Sequence, residues 1–268
     1  MNRDSSKDRG DGDRLRSTTQ SQERPLWGSR LRPGSHKIFV LTGAGISAES
    51  GIPVFQGTSW RGHSHYEVAN IEAWEKDPGL VWQYYSDRRA SARDAKPKAA
   101  HDALSRWNTE SSDSRSFLCT QNVDSLHEAA GSEDVVHIHG KLFESRCAAD
   151  CGRPPFADYN GYAPSVLPHC ACGALVRPNV CWFGEQPYHL DRIYGALEEC
   201  HTFIAIGTSG SVQPVASFVT MLKQKPKPAR TVFIGLTEPA NVRYFDEVHL
   251  GPASELVPGL LSSWMNKE

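Results

Sequence analysis

The chain has 268 residues, of which 39% are apolar and 22% charged, and its formal net charge is −2. This composition suits one large globular domain, or one domain with a sizeable insertion, and offers no bulk attraction to nucleic acid or anionic membrane. No apolar run approaches the ~18 residues of a membrane-spanning helix, and seven cysteines are too sparse, and odd in number, for a disulfide scaffold.

Residues 1–36 form a polar leader. Up to Ser35 it holds 8 Lys/Arg and 5 Asp/Glu, net +3, with almost no apolar side chains. Such a segment cannot offset its ordering entropy and is expected to be disordered. It lacks the apolar stretch of a secretory signal, and its four early aspartates do not suit a mitochondrial presequence, so a cytoplasmic location is expected. The folded part begins at residues 36–41, HKIFVL, which read as a buried strand. The strand runs into Thr42-Gly43-Ala44-Gly45 and a short helix that Pro53 ends. Residues 54–66 read as irregular and 67–107 as helices. Short strands follow at 116–120 and 135–138. Residues 141–178 read as loop-rich and hold four cysteines. A buried strand at 203–206 precedes the Gly207-Thr208-Ser209-Gly210 turn, a further strand spans 230–236, and a short helix closes the chain at 257–265. Short apolar strands alternating with helices predict an α/β fold, a parallel sheet with helices on both faces.

A strand leading into Gly43-x-Gly45 and a helix is a dinucleotide-binding arrangement: glycines let the backbone approach a pyrophosphate, and the helix N-terminus offers N–H groups. The third glycine falls at 51 rather than 48, and no acidic residue follows a second strand about 20 positions on, so a hydride-transfer enzyme is disfavoured. Taken alone, the pair also fits an ordinary turn in any α/β protein.

Further motifs accompany it. Gly43-Ala44-Gly45-Ile46-Ser47-x-x-Ser50-Gly51-Ile52-Pro53-x-Phe55 resembles the cofactor signature of the sirtuins, the Sir2 family of NAD-dependent protein deacylases. Thr120-Gln121-Asn122-Val123-Asp124-Ser125-Leu126-His127, His137-Ile138-His139-Gly140 and Arg177-Pro178-Asn179-Val180-Cys181-Trp182-Phe183-Gly184-Glu185 look like the next three family motifs. Gly207-Thr208-Ser209 and Gly251-Pro252-Ala253-Ser254 match two later cofactor contacts. The resemblance implies a catalytic domain over 37–268: a large Rossmann-like domain with a small zinc-binding and helical domain inserted at about 57–107 and 141–178. It implies NAD as cofactor, held by Gly43, Ala44, Gly45, Ser47, Ser50, Gly51, Phe55, Gln56, Trp60, Gln121, Asn122, Asp124, Gly207, Thr208, Ser209 and Ala253. In the family, the acyl-lysine oxygen attacks the nicotinamide ribose and nicotinamide leaves; a histidine deprotonates the ribose hydroxyl that attacks the resulting imidate, and water completes the route to free lysine and O-acyl-ADP-ribose. His139 maps to that base, and Asn122 and Asp124 map to the nicotinamide pocket, one residue apart and so on one side of an extended segment.

The substrate side follows from the same resemblance. Val180, Phe183, Gly184 and Glu185 belong to the segment that pairs with the substrate backbone by strand addition. Tyr85 and Arg88, three apart on a predicted helix, look like the Tyr-x-x-Arg pair of class III sirtuins, and Ala69 like the small residue that widens their acyl pocket. A phenol and a guanidinium suit a terminal carboxylate, so succinyl, malonyl or glutaryl groups are implied, with deacetylation secondary. A solvated face carrying Asp87, Arg88 and Arg89 is the plainer alternative. Cys147, Cys151, Cys170 and Cys172 are the expected ligands of a structural Zn²⁺, with His169 as the alternative to Cys170 because the spacings are irregular. Cys119, Cys181 and Cys200 read as core thiols, and His101, Trp74 and Trp107 as packing residues. Two departures from the family pattern, Gln56 for Arg and Gly235 for Asn, imply weakened activity. They leave an NAD-binding protein of low turnover as one alternative; an ADP-ribosyl transferase on the same scaffold is another, against which the intact His139 argues. The expected partners are acyl-lysine proteins, met by a monomer without nucleic-acid or membrane contact.

Overall fold

The computed structural model describes residues 36–54, 58–110 and 114–265. The polar leader, Phe55 and Gln56 lie outside the described residues. Strand β1 (His36–Thr42) leads into helix α1 (Ala44–Ala48), then a small hairpin of β2 (Ser59–Trp60) and β3 (His63–Ser64). Helices α2 (His65–Val68), α3 (Ile71–Lys76), α4 (Pro78–Ala92) and α5 (Ala99–Glu110) follow. Next come β4 (Ser114–Thr120), α6 (Leu126–Ala129), β5 (Val136–His137), β6 (Gly140–Cys147), β7 (Phe156–Ala157) and β8 (Val176–Val180). The chain then runs through α7 (Leu190–Glu199), β9 (Thr202–Ile206), α8 (Phe218–Lys223), β10 (Arg230–Gly235), β11 (Glu247–Leu250) and α9 (Ala253–Met265).

Parallel strands in the order β11-β10-β9-β1-β4-β5 form the main sheet. Alternate residues of the central strands feed two cores. Ile38, Val40, Leu118, Ile204, Ile206, Val232 and Ile234 pack on α5 and α9, whereas Phe39, Leu41, Phe203, Ala205 and Phe233 pack on α7 and α8. Both faces are covered, which is why these strands read as unbroken apolar runs. From β1 the chain first builds β4 and β5 on one side, then returns to place β9 on the other. The reversal opens a crevice above the carboxyl ends of β1 and β9, where ligands collect in such sheets.

The rest of the molecule differs from the sequence reading in two places. Residues 141–178, expected to be loop-rich, hold most of the antiparallel sheet β7-β6-β8. Its inner side shares one core with α2–α4, through Val68, Trp74, Trp82 and Tyr85 against Leu142, Val176, Val180 and Trp182. Helix α5, placed by sequence within the 57–107 insertion, packs instead on the main sheet, with Ala100, Leu104 and Trp107 buried beside α9. The short helices start where side chains cap them: Ser64 and Glu67 form a reciprocal capping box for α2, Asn70 caps α3 and Asp77 caps α4. Arg89 of α4 is fully buried. Its guanidinium donates to the carbonyls of Leu142, Glu144 and Asn160, to Ser145 Oγ and to Asp158 Oδ2, so one side chain ties the helices to β6.

Candidate active site

The glycine loop sits at the crevice. Gly43 N–H donates to the Ile206 carbonyl and Gly45 N–H to the Gly207 carbonyl, both at 2.9 Å. A Cβ on Gly43 would lie 2.8 Å from the Gly207 oxygen, and one on Gly45 2.7 Å from Gly207 Cα. The immediate need for glycine is thus the close contact of two neighbouring loops, in addition to any approach by a phosphate. Thr208 packs against Gly43, while the Ser209 hydroxyl shares a hydrogen bond with Ser211. Gly51, at φ +84°, turns the chain after α1, and the buried Ser50 hydroxyl nearby has no hydrogen-bond partner among the described residues. Ala253 is buried at the start of α9 as part of the sheet core. A Cβ on Gly235 would lie 2.8 Å from the tip of the Phe233 ring.

Beyond β4, the segment from Gln121 to Asp124 crosses beside this loop. The Asn122 amide donates to the Gly43 carbonyl and to Ser47 Oγ, each at 3.0 Å, and its N–H donates to Thr120 Oγ1 at 3.1 Å. Thr120 Oγ1 also accepts from Thr42, which in turn meets His127 Nε2 at 2.9 Å. Burial pulls the His127 pKa down to about 3, so the ring is a neutral hydrogen-bonding strut. Asp124 is buried, with one carboxylate oxygen accepting from the Leu126 N–H.

His139 lies in the turn between β5 and β6. Its Nδ1 is 3.0 Å from the Gln121 carbonyl, which can only accept, so Nδ1 carries the hydrogen and Nε2 keeps its lone pair. Burial lowers its pKa below the ordinary 6.5, opposed in part by the bond to Gln121. Gly140 follows at φ +79°, and a Cβ there would collide with the Asn179 carbonyl at 2.1 Å. The glycine therefore lets the histidine turn sit against β8. The His139 carbonyl accepts from Cys181 N–H at 2.9 Å, coupling this turn to residues 180–185.

In that segment Val180 is buried in β8, and Phe183 N–H donates to the Ala69 carbonyl at 3.0 Å. Gly184 adopts φ +89°, and Phe183 stacks on the exposed Tyr66. The Glu185 carboxylate is engaged within the fold: it accepts from Arg177 at 2.6 and 2.9 Å and from Trp182 N–H at 2.7 Å.

A cavity of about 150 Å³ joins the two ends of the site. Ser47, Asn122 and Asp124 line one end, and Trp60, His65, Tyr84 and Arg88 the other. Trp60 is fixed by its indole N–H on Asp87 at 2.9 Å. Tyr85, the tyrosine expected beside Arg88, turns toward Trp182, whose indole N–H donates to its hydroxyl at 3.0 Å. The hydroxyl nearer Arg88 belongs to Tyr84, 3.5 Å from Nη1. Sequence reading missed Tyr84, although it lies four residues before Arg88 and shares its face of α4. His65 was missed because its role depends on a partner 19 residues away on another helix.

The four cysteines converge. All four Sγ atoms of Cys147, Cys151, Cys170 and Cys172 lie within 4.8 Å of one another, with Cys147–Cys172 at 3.5 Å and Cys151–Cys170 at 3.7 Å. Tetrahedral Zn²⁺ with bonds of ~2.3 Å needs sulfurs about 3.8 Å apart, so the donor set fits the ion. Backbone N–H groups of Cys151 and Ala149 aimed at Cys147 hold its thiol down to about 6, favouring a thiolate. Cys170 belongs to this set, and His169 bonds to the Leu167 carbonyl instead. Cys119 and Cys200 are buried thiols as read from sequence, but Cys181 is only half-buried, beside the Trp182 and Glu185 carbonyls. His101, Trp74 and Trp107 are buried packing residues.

A sequence profile of the Sir2 family matches residues 43–214. The chain belongs to the Sir2 family. A Caulobacter vibrioides relative named NAD-dependent protein deacylase is 43% identical over 230 residues, covering 84% of this chain and 95% of the relative. One of the same name from Salmonella typhimurium is 41% identical over 239 residues, covering 85% and 84%. A solved Sir2 homolog–NAD complex superimposes with a TM-score of 0.78 at 36% identity, over 87% of this chain and 96% of that one. A Sir2–p53 peptide–NAD+ complex gives 0.73 at 25% identity, over 84% and 92%. This Sir2-family chain therefore shares its fold with proteins solved with NAD and with a peptide.

Proposed function

We propose that the protein is an NAD-dependent protein-lysine deacylase preferring acyl groups that end in a carboxylate. The observation that carries the reading is His139: its Nδ1 is committed to the carbonyl of Gln121, the residue before the cavity-lining Asn122–Asp124, which leaves Nε2 as a neutral proton acceptor. Relatives over 40% identical across most of the chain carry the deacylase name, which supports the activity. The cavity beside the Gly43–Gly45 loop has the polar groups a nicotinamide would need, namely Asn122 and Asp124. NAD, when bound, would supply the ribose carbon that accepts the acyl oxygen in exchange for nicotinamide.

In this reading the chain's own residues do the following. The glycine loop and the Gly207–Ser209 turn hold the dinucleotide over the ends of β1 and β9. Asn122, clamped by Gly43 and Ser47, presents a fixed polar edge, so little reorganisation remains for the reaction. His139 Nε2 takes the proton of a ribose hydroxyl. The half-exposed backbone around Phe183 and Gly184 pairs with the substrate strand, a mode tolerant of side-chain sequence. Arg88 receives the distal carboxylate. Cys147, Cys151, Cys170 and Cys172 would hold a structural Zn²⁺ remote from the chemistry, organising the turns between β6 and β8. The main sheet acts as one domain and α2–α4 with β6–β8 as a smaller one, the cavity lying along their seam. The same reading has the chain act as a monomer on protein substrates.

A panel of succinyl-, malonyl-, glutaryl- and acetyl-lysine peptides, followed by mass spectrometry with and without NAD, tests this. The expected result is NAD-dependent loss of the acyl group with one nicotinamide released per lysine, fastest for the anionic groups. Label from NAD appearing on protein rather than in a small product would contradict it.

A further inference from the structure

The distal end of the cavity contains a hydrogen-bonded pair outside the Tyr85–Arg88 motif. The His65 ring lies between two hydroxyls: Nε2 is 2.8 Å from Thr58 Oγ1, and Nδ1 is 3.0 Å from the Tyr84 hydroxyl. Thr58 donates its hydrogen to the Val54 carbonyl at 2.7 Å, so the hydrogen of a neutral His65 sits on Nε2 and points at Thr58. Nδ1 is then an acceptor, and the Tyr84 O–H must donate to it. That leaves the Tyr84 oxygen with lone pairs facing Arg88, whose Nη1 approaches to 3.5 Å and whose guanidinium lies 5.7 Å from the Tyr84 ring centre. The polarity runs one way, from Arg88 through Tyr84 to His65. Tyr84 is otherwise fixed by edge-on contacts with Trp60 at 5.4 Å and Tyr85 at 4.9 Å.

We propose that His65 and Tyr84 are positioning residues for acyl selectivity, holding the Arg88 guanidinium at the cavity wall to receive the carboxylate of an anionic acyl group. This rests on the reading of the cavity as the acyl-lysine site. The contact to Nη1 is long, so it orients the guanidinium without competing strongly with a carboxylate. Asp87 lines the same cavity and would repel an anion, but Trp60 and Arg61 both donate to its Oδ2 at 2.9 Å and neutralise it locally. An acetyl group carries no carboxylate for Arg88 to receive. The relay therefore acts on the ratio between acyl groups.

The test is steady-state kinetics on succinyl and acetyl forms of one peptide at saturating NAD, with Arg88→Met as reference. Tyr84→Phe keeps the ring and removes the hydroxyl. It is expected to lower the succinyl-to-acetyl ratio of kcat/KM about fivefold to tenfold, the scale of one ordinary hydrogen bond, through a raised KM for the succinyl peptide. His65→Leu should match it. His65→Asn, whose Oδ1 can accept the same hydrogen, should hold the ratio within about twofold of wild type. The double variant Tyr84→Phe/His65→Leu should be no worse than either single, because the pair acts as a unit. A Tyr84→Phe ratio equal to wild type while Arg88→Met collapses it would overturn the relay alone, as would a parallel loss on both peptides. A wild type without succinyl preference, or one indifferent to Arg88→Met, would overturn the reading of the cavity and the relay with it. If His65→Leu does not fold, Tyr84→Phe carries the test.

Discussion

The main sheet and the smaller part that closes the cavity are stabilised by different chemistry. In the sheet, Ile38, Val40, Ile204 and Val232 face one helical layer and Phe39, Leu41, Phe203 and Phe233 the other, each contributing roughly 1.5–3 kcal/mol by burial. In the smaller part, the aromatic core of Trp74, Trp82, Tyr85 and Trp182 is supplemented by polar staples. These are Arg89 on β6 and Asp158, Arg177 on Glu185 with its guanidinium 3.3 Å from the Trp182 ring centre, and four converging thiols. The difference teaches where rigidity comes from. A doubly covered sheet needs only apolar alternation, whereas a small three-stranded sheet with an edge strand of Arg, Pro and Asn needs specific partners to stay in register.

Metal removal separates the two regions most strongly. Structural zinc contributes on the order of 10 kcal/mol in small zinc peptides, so chelation should strip amide protection from β6 and β8 while β1, β4 and β9 keep theirs in hydrogen exchange. Equal loss in both regions would merge them into one cooperative unit. Arg89→Met comes next. It leaves Asp158 buried without its cation, a change worth about 3–5 kcal/mol, and exchange should rise first in residues 140–160. Leu260→Ala, on the sheet side, should cost about 2–4 kcal/mol as a cavity and lower the urea midpoint globally. A loss confined to α9 would show the sheet to be less unified than its cores suggest. The smallest effect lies at the seam. Burial holds the His139 pKa below 6.5, so protonation switches the base off only below that value. The acid limb of the kcat/KM profile should have its midpoint under pH 6.5, with activity present above it; a midpoint above 6.5 would mean that a carboxylate, not burial, dominates the ring.

Legibility in the sequence follows the same division. The runs of β1, β9 and β10 and the Gly43 loop were readable because apolar alternation on two covered faces is a local signal. Strand β11, with Glu247 and His249 on a sheet edge, carries no such signal. Strands β6 and β8 were hidden because Lys141, Glu144, Arg177 and Pro178 break the pattern, and their pairing depends on partners distant in sequence, from Cys147 with Val176 to Gly140 with Val180. The cysteine set was predicted, but spacing alone left open the choice of Cys170, whose Sγ joins the cluster, over His169, whose ring bonds to the Leu167 carbonyl. Arg89 looked like the neighbour of Arg88 on a solvated face; a helix turns 100° per residue, and that rotation carries Arg89 into the interior while Arg88 lines the cavity. His139 and Asn122 were found from motifs, yet the hydrogen on His139 Nδ1 becomes assignable only when the Gln121 carbonyl is in place.

The central claim is that His139 Nε2 is the base of an NAD-dependent deacylation. The most direct measurement is deacylation by His139→Ala with the best acyl-lysine peptide, alongside NAD binding by calorimetry on the same variant. The expected result is a rate loss of about 10²–10⁴-fold, the contribution of a positioned general base, with NAD affinity retained. Turnover within tenfold of wild type, at unchanged NAD affinity, would contradict it.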